Sequence, residues 1–200
     1  MTKEDKVTRN KKKKENSLYK AAYELFTTKG VHNTAISEIV KKAGVAKGTF
    51  YLYFKNKYDM LDKIVLKKSS LVLRDAIKAT DEKEYEDFIN KLNYFIDYII
   101  EYLKGNKVLL KLIYKNLSWG FFRKALVDSK AQKEMQEIFD TFMEGITDEK
   151  YDSKDPEKTL FMIIELTGSI CYSSIILGEP TDIDNMKPIL FETIRKIIEN

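Results

Sequence analysis

Residues 34–58 read TAISEIVKKAGVAKGTFYLYFKNKY. The spacing predicts a short helix, a tight turn at Gly44 and a second short helix starting near Val45. Thr34 stands at an N-cap position, with Glu38 in the first turn behind it. Ile36, Ile39 and Val40 recur at helical spacing and face inward. Gly44 permits the positive φ that closes this helix. The second helix leads with Lys47, Gly48 and Thr49. Two helices joined by a glycine turn make a helix-turn-helix unit, whose second helix enters a DNA major groove first residues foremost.

Working outward, residues 1–14 are polar and basic and read as a flexible arm. A first helix starts near Glu15 and carries Leu18, Ala21, Ala22, Leu25 and Phe26 on one face, with Gly30 as its stop. Residues 15–57 therefore form a three-helix DNA-binding domain, its helix-turn-helix at about 35–54. After the polar break Lys55-Asn56-Lys57, residues 58–200 read as a second helical domain. Helices are expected at Tyr58–Ala79, Lys83–Lys104, Lys107–Leu117, 129–145, 157–177 and 184–199, with a bend near Trp119 and a break at Gly178-Glu179-Pro180. No strand-like alternation occurs, so the fold class is all-α.

Charge is unevenly spread. Residues 1–67 hold 16 Lys/Arg against 7 Asp/Glu, or +9, and the remainder 19 against 24, or −5, which together make the net +4. A basic end on a mildly acidic body is the footprint of a nucleic-acid reader joined to something else. One histidine (His32) and one cysteine (Cys171) exclude the usual zinc sites, an intrachain disulfide and histidine-activated nucleophiles. No phosphate-cradling glycine loop appears, so neither enzyme activity nor a cofactor or metal is expected. The charged N-terminus carries no secretory signal, which points to the cytoplasm. Residues 160–177 approach the length of a membrane span. Glu165, Thr167, Gly168 and three serines there favour a buried helix and no membrane partner.

Residues 16–66 resemble the N-terminal DNA-binding domain of the TetR family of bacterial transcriptional regulators. The matching elements are Ala22-x-x-Leu25-Phe26, Gly30, Thr34, Glu38-Ile39, Ala43-Gly44-Val45, Lys47-Gly48, Phe50-Tyr51, Tyr53-Phe54 and Lys55-x-Lys57. Leu52 falls where family members vary, and Tyr53 where histidine is frequent. The resemblance implies a ligand-responsive repressor that binds a palindromic operator as a homodimer and releases it on meeting a small-molecule effector.

On that reading Lys47 and Thr49 face base edges and Gly48 allows close backbone approach. Tyr51, Tyr53, Lys55, Lys57 and Thr34 hold phosphates. Core packing is the plainer role for the two tyrosines, and a simple cap for Thr34. The implied ligand pocket draws on the aromatics of the middle helices: Tyr98, Tyr102, Trp119, Phe122, Phe161 and Tyr172. Glu165 sits inside an apolar run among them, where it would suit a cationic or hydrogen-bonding ligand. Pairing with a lysine, or reaching solvent, is the plainer role. For the dimer, Gly168, Cys171 and Ser174 offer a small-residue face, and Leu190 and Ile194 belong to an apolar stripe. Both stripes could instead face the chain's own core. The competing reading is a helical adaptor with nonspecific attraction to nucleic acid.

Overall fold

The computed structural model describes residues 3–114, 132–147, 151 and 155–199. They form nine α-helices and no strand: α1 Lys3–Lys29, α2 Ile36–Ala43, α3 Lys47–Tyr51, α4 Lys57–Asp81, α5 Phe88–Gly105, α6 Lys107–Ile113, α7 Gln132–Ile146, α8 Pro156–Tyr172 and α9 Ile183–Glu199. The chain divides into two compact units, Met1–Leu66 and Lys67–Asn200. The division falls inside α4, beyond the domain boundary read at 57/58.

The first unit is built on apolar residues at helical spacing. Leu18, Ala22 and Phe26 of α1 are buried with Ile39 and Val40 of α2, Phe50 of α3, Phe54, and Met60 and Ile64 of α4. Each large side chain so buried contributes ~1.5–3 kcal/mol. Phe54 meets Tyr19 edge-on at 5.2 Å and Phe50 at 5.4 Å, so one aromatic cluster joins the first and third helices. Lys29–Glu38 and Lys42–Glu24 pair α1 with α2 at the surface, where such pairs are worth only ~0–1 kcal/mol. Gly30 and Gly44 end α1 and α2 at φ +82° and +66°. Asn56 begins α4, its side-chain oxygen accepting from the Tyr58 and Asp59 amides at 2.9 and 3.0 Å.

The flexible arm is corrected here. Residues 3–14 are not separate from α1 but form its first turns, and those from Lys6 to Lys14 are exposed. Lysine, arginine and glutamate are good helix formers, and nothing in the segment interrupts propagation. The Tyr53 hydroxyl also donates to the Lys11 carbonyl at 3.1 Å.

In the second unit α5 starts later than periodicity implies. The Asp87 carboxylate accepts from the Asn90 amide at 2.8 Å and caps the helix there. Tyr85 is held outside the helix against Tyr94, at 5.8 Å between rings. Ile89, Ile96, Ile100 and Leu103 of α5 are buried, as are Leu110 of α6, Leu160 and Ile163 of α8, and Leu190, Ile194 and Ile198 of α9. Lys187 of α9 reaches Asp97 at 2.7 Å and Glu101, both on α5. Partial burial opposes its charge, but the two carboxylates outweigh that and raise its pKa. Past Tyr172 the chain makes one wider π turn, Ser173–Leu177, before Gly178 stops it at φ +72°. The segment Pro156–Leu177 is long and apolar enough to cross a membrane by length and composition. Of residues 160–177 only Phe161, Met162, Ser169 and Leu177 are exposed, and the rest are buried or partly covered within the chain.

Candidate nucleic-acid interface and ligand cavity

The reading head follows from core register. Phe50 and Phe54 point inward four residues apart, which turns the residues around them out. Lys47, Gly48, Tyr51 and Leu52 are exposed, and Thr49 is half-buried. Tyr51 rests edge-on against Phe50 at 5.4 Å while remaining 52% exposed. Its ring is thus anchored and its hydroxyl end is solvated. Lys55 is exposed beyond the cluster. These side chains form one surface, with the basic first turns of α1 beside it. Val7, Asn10, Lys11 and Lys14 of α1 line a shallow groove together with Thr49, Leu52 and Tyr53.

Three predicted contacts are engaged within the unit instead. Thr34 is buried and its hydroxyl donates to the Gly30 carbonyl at 2.8 Å, so it neither caps α2 nor presents to a phosphate. The cap is Ala35, whose amide donates to the Glu38 carboxylate at 3.0 Å. That amide and then Lys29 hold the Glu38 carboxyl below its ordinary pKa. The Lys57 ammonium donates to the carbonyls of His32 and Thr34 at 2.9 and 3.0 Å, and so fastens the α1–α2 loop to the start of α4. The Tyr53 hydroxyl is engaged by Lys11, as described above. Leu52, in sequence only a position where family members vary, is at 79% the most exposed large apolar residue among those described. Its position out of register with Phe50 and Phe54 was the available signal.

The second unit holds a partly open cavity of about 230 Å³. Val72, Leu73 and Ile77 of α4, Leu92, Phe95, Ile96 and Ile99 of α5, and Ile163, Ile164 and Cys171 of α8 contribute to its wall. Ser69 and Thr167 also line it, and their hydroxyl oxygens are buried without a partner among the described residues. The only charged groups on the wall, among the described residues, are Asp81 and Lys91, 3.2 Å apart. Burial pushes the Cys171 thiol up to about 12, which keeps it an uncharged apolar wall group.

The aromatic pocket read from sequence is therefore corrected to an aliphatic one. Tyr98, Tyr102, Phe161, Glu165 and Tyr172 do not line the cavity. Tyr172 instead stacks on Tyr114 at 3.6 Å, and Phe161 is exposed. Trp119 and Phe122 lie outside the described residues. The dimer residues are corrected too. Leu190, Ile194 and Ser174 are buried in the unit's own core, while Gly168 and Cys171 face the cavity. What α8 and α9 leave outward is Phe161, Met162 and Ile189.

Residues 18–64 match the family described as bacterial regulatory proteins, tetR family. A curated relative, the uncharacterized HTH-type transcriptional regulator YvdT of Bacillus subtilis (strain 168), is 36% identical over 105 residues, covering 52% of this chain and 53% of its own. The chain thus spans about half the length of that relative. Two solved structures share the fold. A tetR family regulator from Shewanella sp. PV-4 superposes with a TM-score of 0.70 at 16% identity, covering 90% of this chain and 95% of its own. The regulator FadR of Bacillus subtilis, in complex with stearoyl-CoA, gives 0.61 at 24% identity, covering 89% and 96%.

Proposed function

From a chain that belongs to the TetR family of bacterial regulatory proteins, we propose a repressor that binds a palindromic operator as a homodimer and leaves it on binding a small apolar effector. The observation that carries this is the clustering of Lys47, Gly48, Thr49, Tyr51 and Leu52 on one solvated face, held from behind by Phe50 and Phe54. Lys47 and Thr49 read base edges; Leu52 is suited to a thymine methyl. Tyr51 and Lys55 hold phosphates, joined by Lys11 and Lys14 from α1.

Binding to random duplex libraries tests this. The parent protein selects a palindrome. Lys47→Ala and Thr49→Ala each lose ~1–3 kcal/mol of discrimination at one position while remaining folded. Lys11→Ala with Lys14→Ala keeps the preferred sequence but flattens the salt dependence by about one unit of log–log slope per lost phosphate contact. Unchanged discrimination in the Lys47 and Thr49 variants refutes the reading, and a helical adaptor would protect no preferred site at all.

The dimer rests on the outward faces of α8 and α9. Exposed Phe161, Met162 and Ile189 form an apolar surface that a second copy would cover through a four-helix bundle. Phe161→Lys with Ile189→Glu is expected to give a monomer at micromolar concentration by sedimentation, with operator affinity falling in step. A dimer that survives both changes must use another surface. A parent protein that sediments as a monomer and binds vesicles would assign the face to lipid instead.

The effector reading rests on the aliphatic wall of the cavity and on the Ser69 and Thr167 hydroxyls, which have no partner among the described residues. The similar FadR structure holds an acyl-CoA, which accords with a chain-like ligand. Residues of α4 line the cavity, and the same helix begins beside the reading head. A ligand that favours a different position of α4 alters the spacing of the two heads. DNA and ligand then oppose each other through a single coupling energy, typically ~1–3 kcal/mol.

A further inference from the structure

The cavity runs along the helices. Its wall follows α4 from Ser69 to Asp81, about 18 Å at ~1.5 Å rise per helical residue. Its volume of about 230 Å³ leaves room for an apolar tail. A wall of that length accommodates an extended chain. Leu103, Leu109 and Ile113 also contribute apolar wall. Among the described residues Asp81 and Lys91 bring the only charge, and they flank the connection between α4 and α5.

The two charges are not equivalent. Asp81 closes α4, where the carbonyl end of the helix disfavours an anion and leaves the carboxylate in need of a cation. Lys91 stands at the first turn of α5, where the amide end favours an anion. The neighbouring carboxylate of Asp87 is already committed to the Asn90 amide. The Asp81 side chain is 56% exposed and that of Lys91 is 36% exposed, so their pairing is worth only ~0–1 kcal/mol and is readily exchanged. A lysine can also lay its apolar stem along the wall while its ammonium stays at the rim.

We propose that Lys91 anchors the anionic head of a medium-chain amphiphile whose tail fills this cavity, displacing Asp81 as its partner. This rests on the effector reading above and specifies its chemistry: a carboxylate or similar anion on a saturated chain. Asp81 is then a competitor for the anchor. Phe88 and Phe142 line the cavity as apolar wall.

Titration of the full-length protein with decanoate, decanol and decyltrimethylammonium, each below its micelle concentration, tests the assignment by calorimetry. The parent binds decanoate more tightly than decanol, and decyltrimethylammonium least. Lys91→Met lowers decanoate affinity about three- to tenfold, the range of an ordinary net hydrogen bond, and leaves decanol affinity unchanged. Asp81→Asn raises decanoate affinity. Equal effects of Lys91→Met on decanoate and decanol, or a parent that prefers the ammonium, overturn the anchor while leaving the chain-binding cavity standing. A parent that binds none of the three overturns the effector reading and this assignment with it. Retained decanol binding in Lys91→Met separates a lost anchor from a lost fold.

Discussion

Alanine at Phe50 is expected to unfold the reading head while leaving the second unit folded. The ring is fully buried and touches Tyr51 and Phe54, each at 5.4 Å. Truncating a phenylalanine in such a site costs ~3–5 kcal/mol, through lost burial and the cavity left behind. The unit ends at Leu66, and so small a core has a total stability of only ~5 kcal/mol or so to lose. α3 has only five residues, Lys47–Tyr51, too few to persist without packing. Operator binding should therefore disappear rather than weaken. Thermal unfolding followed by circular dichroism checks this. The parent's low-temperature transition moves down or vanishes, while effector binding by the second unit is preserved. Leu52→Ala is the matched control, because Leu52 is solvated and its truncation changes stability by no more than ~0.5 kcal/mol. A Phe50→Ala protein that melts like the parent would mean that α3 is held by something other than the aromatic cluster.

The second large effect is expected at Gly145, on α7. A β-carbon there would overlap the Cγ, Cδ2 and Cε2 atoms of the Phe88 ring. That ring is already bracketed by Phe142 at 5.7 Å and Tyr151 at 6.0 Å, so it has little room to retreat except toward the cavity it lines. Two effects compete. Alanine is the better helix former by ~1 kcal/mol, whereas forcing a methyl into a packed contact costs ~1–3 kcal/mol. The clash wins because it falls on the body of a ring rather than on a flexible side-chain end. Gly145→Ala should lower the unfolding midpoint of the second unit and weaken effector binding, with operator affinity in the absence of effector unchanged. Adding Phe88→Leu should restore part of both. Greater stability in Gly145→Ala alone would show that α7 does not press on Phe88.

Some of this was legible in the residues alone. Gly30, Gly44 and the Phe50/Phe54 register give the reading head, because turns and helical periods are local and a few residues set them. The all-α class follows for the same reason. Local patterns misled where a side chain had two plausible partners. Thr34 looked like a cap, but its hydroxyl turns to the Gly30 carbonyl. Lys57 looked like a phosphate ligand, but two carbonyls of the α1–α2 loop take its ammonium. Both outcomes depend on where the preceding loop passes.

The sequence by itself determined which faces of the helices are apolar and which residues of the short third helix stay polar, since a 3.6-residue period is written in the order of side chains. Only the tertiary structure decided what those faces meet. Leu190 and Ile194 are buried within their own unit, Gly168 and Cys171 line a cavity, and aliphatic rather than aromatic residues make most of that cavity's wall. The physical reason is that burial is non-directional: an apolar stripe gains the same free energy against its own chain, a ligand or a second copy, and the packing of distant helices chooses among them.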